Sequence, residues 1–87
     1  MWIRFRRVII NLSHVTNIVQ CADHTIRFYY DSLTPNEYGN EGDLTIAQTA
    51  LHFESPQDSD ELYERIWQLI AKGSGCLNID GTGIWAE

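Results

Sequence analysis

The sequence predicts an α+β fold: a small antiparallel β-sheet of three to four strands, one amphipathic helix packed on one face, then a short Gly-rich tail. Three observations point there. Apolar residues over the first 54 positions recur mainly at every second residue, the period of half-buried strands. Between 56 and 72 the period becomes helical, with start and stop residues at the two ends. Strands come first and the helix follows, without the alternation that builds parallel sheets. At 87 residues the chain is read as a single domain, 1–87. Its core is small, because a chain of this size buries only about 60–65% of its unfolded surface.

Strands are expected at about 2–12, 15–22, 25–31 and 44–54. In the first, Ile3 and Phe5 alternate with Trp2, Arg4 and Arg6. Val8, Ile9 and Ile10 then break the alternation, which suggests a bulge or a segment buried on both faces. Residues 11–14 (NLSH) are turn-like, since Asn and Ser side chains can satisfy local backbone groups. Ile18 and Val19 mark the second strand, and Asp23-His24 is a short link to the third, giving an antiparallel hairpin. There Ile26, Phe28 and Tyr30 share one side, and Thr25, Arg27 and Tyr29 the other. Residues 31–43 (DSLTPNEYGNEGD) read as a long polar loop. In the fourth strand Leu44 and Ile46 have even parity but Leu51 and Phe53 odd. One continuous strand cannot turn both pairs to the same face, so a bulge or bend is expected near 47–50.

The helix is the best-marked element. Ser55 supplies an N-cap hydroxyl, Pro56 fits the first helical position, and Asp58 completes a capping-box shape. Leu62, Ile66, Leu69 and Ile70 form one apolar stripe, widened by Tyr63 and Trp67. Glu61 and Arg65 can pair at i, i+4, and Lys72 with Gly73 closes the helix. The tail, 73–87, is punctuated by glycines, with Leu77 and Ile79 alternating and Ile84-Trp85 near the end.

Composition narrows the function. The net charge is -6, with three arginines and no acid in residues 1–22 against three bases and twelve acids afterwards. So acidic a chain is a poor match for phosphate backbones, and no nucleic-acid partner is expected. No apolar run approaches the ~20 residues needed to cross a bilayer, so no membrane partner is expected either. The apolar run 8–12 is too short for a signal segment, which makes the expected location cytoplasmic and the Asn11-Leu12-Ser13 sequon silent. Cys21 and Cys76 match no zinc or redox spacing and read as small apolar side chains.

There is no nucleophile elbow, Walker loop or dinucleotide fingerprint, and Gly73-Ser74-Gly75 follows a helix, where it reads as a stop. His14, His24 and His52 have no metal-ligand spacing, so neither a metal nor a cofactor is expected. Paired-carboxylate chemistry leaves little trace in sequence. A chain this small is expected to lack room for a pocket of ~300 Å³ or more, which argues against an enzyme.

What remains are surfaces. Trp2, Arg4 and Arg6 should project from one face of the first strand, and Arg27 and Tyr29 would extend it if the first and third strands were neighbours. Aromatic residues and Arg are enriched at binding hot spots, and Arg can lie over Trp by cation–π attraction. The bland alternative is a charged outer face that guards against aggregation. Trp85 either docks on its own core or is offered to a partner. Ten aromatic residues are more than one small core readily hides, which favours a second subunit.

The segments INLSHVTNI, IRFYY and LHFESPQDSDELYERIWQLI resemble short bacterial proteins of uncharacterised function. Those pair a small β-meander with one C-terminal helix, entered by a Phe-x-Ser-x-x-Asp pattern like that of residues 53–58. The resemblance spans roughly 8–72 and implies a fold; it assigns no site residue. The leading expectation is a small non-enzymatic interaction or accessory module that self-associates as a homodimer or binds another protein, using Trp2, Arg4, Arg6, Arg27, Tyr29 and Trp85. The second is a ligand- or cation-responsive regulatory domain that uses the carboxylates of loop 31–43.

Overall fold

The computed structural model describes residues 1–35, 44–79 and 83–86. Its elements are β1 (Trp2–Phe5), β2 (Val8–Asn11), a short 3₁₀ turn (Leu12–His14), β3 (Val15–Cys21), β4 (Thr25–Pro35), β5 (Leu44–Phe53), α1 (Pro56–Lys72), β6 (Cys76–Ile79) and β7 (Ile84–Ala86). The class is α+β, but the strands form two sheets where one was expected. A three-stranded sheet has the order β2-β1-β6 and a four-stranded sheet the order β3-β4-β5-β7. No helix among the described residues is long and apolar enough to cross a membrane.

The expected first strand is a hairpin. β1 and β2 pair antiparallel, closing at Phe5 with Val8. Arg6 takes a left-handed φ of 52° in the turn. Primed two-residue turns usually announce themselves with Asn or Gly, and here Arg6-Arg7 hides the turn. The expected tail contributes strands as well: β6 runs parallel to β1, and β7 pairs antiparallel with β5. The β3–β4 hairpin closes at Cys21 with Thr25, and His24 takes the left-handed position, φ 60°, that ends a three-residue loop.

Two register irregularities decide which side chains face inward. In β3, Val15 pairs with Tyr30 and Asn17 with Tyr29, so Thr16 is an extra residue, and its hydroxyl donates to the Tyr29 carbonyl at 3.2 Å. The bulge lets Val15 and Ile18, of opposite parity, both pack against the core. In β4 the register moves from Tyr29 with Gln48 to Leu33 with Ile46. The irregularity therefore falls in β4, and β5 runs unbroken through 47–50, where the bend was expected. Strand β4 also continues to Pro35, into the segment read as loop.

One buried cluster draws on every layer: Ile3, Phe5 and Ile10 from the small sheet, Ile26, Phe28, Leu51 and Phe53 from the larger one, and Leu62, Ile66 and Leu69 from α1. Ser55 Oγ accepts from the Gln57 amide at 3.2 Å, and Gly73, φ 84°, ends the helix with its N–H on the Leu69 and Ile70 carbonyls. Tyr63 is half-buried, whereas Trp67, expected to widen the apolar stripe, is 63% exposed. Glu61 and Arg65 are both exposed and do not form their expected pair; His14 Nδ1 lies 3.5 Å from Asp31 Oδ2.

Candidate functional site

Directly paired residues of neighbouring strands share a face, so the register sorts the four-stranded sheet without ambiguity. Its inner face carries Ile26, Phe28 and Leu51. Its outer face carries Asn17, Val19 and Cys21 on β3, Thr25, Arg27, Tyr29 and Leu33 on β4, and the even positions 44–52 of β5, with Trp85 beside His52 on β7. None of the residues that the register places on this face is acidic, in a chain with twelve acids. Asp31 lies within the β4 irregularity and pairs with His14.

The outer face is largely apolar where it meets solvent. Val19, Leu33, Leu44, Ile46 and Trp85 are between 42 and 62% exposed. They make up five of the eight strongly exposed large apolar side chains among the described residues. A polar line crosses the face at one end. Thr25 Oγ1 and His52 Nδ1 share a hydrogen bond of 3.0 Å, and the Trp85 ring stacks on His52 with centroids 5.6 Å apart. Arg27 Nη1 donates to Gln48 Oε1 at 3.4 Å. Thr25 and Ala50 are buried beneath these larger neighbours.

The residues singled out from sequence fall into separate groups. Trp2 and Arg4 lie on the outer face of the three-stranded sheet, with Ile9 opposite Arg4. Arg6 leaves that face for the β1–β2 turn, where its guanidinium lies 5.4 Å from the centroid of Phe5 and not over a Trp. Arg27 and Tyr29 belong to the other sheet and do not extend the Trp2 face. Trp85 is held by β7 against its own sheet and remains half-exposed there. Val19, Leu33, Leu44 and Ile46 went unread as surface. For Leu44 and Ile46 the signal was the parity conflict along 44–53, explained as a bend when it marks one strand with two apolar faces.

The structure also holds more concave space than the length suggested. A groove of about 650 Å³ separates β3 from α1, with Val15 and Ile18 on one wall, Ile66 and Ile70 on the other, and Glu64 and Trp67 lining it from the helix. A second hollow, of about 410 Å³, lies between the β3 end and the start of α1. There Gln20 Nε2 donates to Ser59 Oγ at 3.2 Å and to Asp60 Oδ1, which ties the strand to the first helical turn. Cys21 and Cys76 are unbridged, and Cys21 is half-buried. The three histidines do not gather into a metal-holding group among the described residues: His14 lies beside Asp31, His24 in a turn next to the Thr25–His52 pair, and His52 under Trp85. Most of the carboxylates proposed for a cation, Glu37, Glu41 and Asp43, lie outside the described residues. No family model, curated protein or solved structure matches the chain.

Proposed function

We propose that the chain is a small non-enzymatic interaction module that associates with a second copy of itself through the outer face of its four-stranded sheet. The apolar patch of Leu33, Leu44 and Ile46, on a face where the register places no acid among the described residues, carries this reading, with Val19 further along the same face beyond Arg27, Tyr29 and Gln48. Single exposed apolar residues are ordinary, but a contiguous group on one sheet face is the kind of surface that docks another protein. A second copy suits it because each chain carries a net charge of -6. Two such chains repel except where neither presents a carboxylate, and the described residues that the register places on this face meet that condition. Sheets stack about 10 Å apart when their apolar faces interdigitate, which would cover the leucine and isoleucine side chains of both copies. Arg27 and Tyr29 lie on the same face, whereas Trp2 and Arg4 form a separate, smaller surface.

The test is the solution mass of the native chain and of a double variant, Leu33→Glu with Ile46→Glu, by light scattering behind a sizing column. Both positions are solvent-exposed, so the variant keeps its fold, read from its circular dichroism. The native chain is expected above the mass of one copy at tens of micromolar, and the folded variant below the native mass. A native chain that stays a single copy, or a variant with unchanged association, overturns the reading.

A further inference from the structure

We infer that the open edge of β3 is a second contact between copies, formed when β3 pairs antiparallel with β3 of another chain about a two-fold axis. Strand β3 terminates the four-stranded sheet and pairs only with β4 among the described residues. Its seven residues, VTNIVQC, include no charge and no proline. Proteins usually guard such edges with lysine, proline, short strands or bulges, because unpaired N–H and C=O groups invite another strand. The other terminal strands are shorter, β2 and β6 with four residues each and β7 with three. Strand β7 covers only residues 51–53 of β5, so residues 44–50 are a second open stretch among the described residues, and β3 is the edge that borders the groove. The one irregularity in β3, at Thr16, leaves residues 17–21 in regular register.

The surroundings of this edge are also unspent. On the inner side the groove of about 650 Å³ runs between β3 and α1, and Trp67 lines it while 63% exposed. On the outer side Val19 is exposed. A strand laid along β3 would satisfy the backbone row and stand beside the groove and Val19 together. A second copy is the occupant because this edge has no charge to select a charged partner. Two uncharged edges can also meet although each chain is strongly acidic. Pairing residues 17–21 with themselves puts Val19 on the axis, opposite the second copy's Val19, and Asn17 opposite the second copy's Cys21. Such a contact is isologous and closed, joining two four-stranded sheets into one of eight without open-ended growth. It uses neither Leu33 nor Ile46, so it stands apart from the outer-face association.

Two measurements on the whole chain decide it. Amide exchange is followed by NMR on dilute and concentrated native samples of known mass. Exchange of the β3 amides that do not bond β4 is expected to slow by about tenfold or more as association proceeds. A cross-link then reads the register. Val19→Cys in a Cys21→Ser, Cys76→Ser chain should give a disulfide-linked dimer under mild oxidation. Self-paired residues in antiparallel strands lie about 4.5–5.5 Å apart at Cα, within the ~4.4–6.8 Å that a disulfide spans. Association without β3 protection or cross-linking overturns the edge contact and leaves the outer-face reading standing. Protected β3 amides in the Leu33→Glu, Ile46→Glu chain, with its mass equal to that of the native chain, support the edge and overturn the outer face. A single copy at every concentration, with the edge left to a foreign strand, overturns both.

Discussion

Leu51 and Phe53 at one end of β5 are buried in the core, while Leu44 and Ile46 at the other end face solvent. All four are large apolar residues on a single unbroken strand. The difference lies in parity: Leu51 and Phe53 turn toward α1 and the small sheet, and Leu44 and Ile46 point to the opposite side, where the described chain supplies no layer. An apolar residue thus contributes to folding or to association according to the face its register assigns it, and hydrophobicity alone does not tell them apart. The two ends of β5 teach that a parity conflict within one strand can mean two apolar faces as readily as a bulge.

Substitutions can break that comparison or sharpen it. The largest effect is expected at the buried end. Leu51→Ala empties fully buried volume and should cost about 2–5 kcal/mol, read as a lower denaturant midpoint at an unchanged slope. A smaller loss is expected at Gly73, whose φ of 84° is strained for any L side chain although the space around it is open. Gly73→Ala should cost about 1–2 kcal/mol by the same measurement, from backbone conformation alone. Ser55→Ala removes the hydroxyl that accepts the Gln57 amide and should cost about 1 kcal/mol. The smallest effect is expected at the exposed end of β5. Leu44→Ala should shift the stability of a dilute, dissociated sample by no more than about 0.5 kcal/mol. Equal losses for Leu51→Ala and Leu44→Ala would erase the distinction between the two faces.

The legible parts of the sequence were those governed by local chemistry. Ser55, Pro56 and Gly73 mark the helix ends because caps and proline act within a turn of their own position. The alternation of Ile26 and Phe28 with Thr25 and Arg27 gave the faces of β4 correctly, because period 2 is a property of the strand itself. What stayed hidden depends on distant partners. The parallel pairing of β6 with β1 joins residues some seventy positions apart and leaves only the two-residue alternation of Leu77 and Ile79 as a trace. The split into two sheets followed from a turn at Arg6-Arg7 that lacks the usual Gly or Asn. Among the proposed contact residues, Trp85 was legible as an aromatic near a strand end, and its stack on His52 was not. Leu44 and Ile46 were visible as apolar residues but were expected to share a face with Leu51 and Phe53, and Leu33 was expected in a loop, since only the pairing register separates Ile46 from Leu51.

The most direct test of the central claim is a dilution series on the native chain, followed through methyl NMR signals on both faces of β5. The account predicts that the signals of Leu33, Leu44 and Ile46 shift as copies dissociate, while those of Leu51 and Ile26 hold still. Association with unmoved outer-face methyls, or signals that do not change at any concentration, would contradict it.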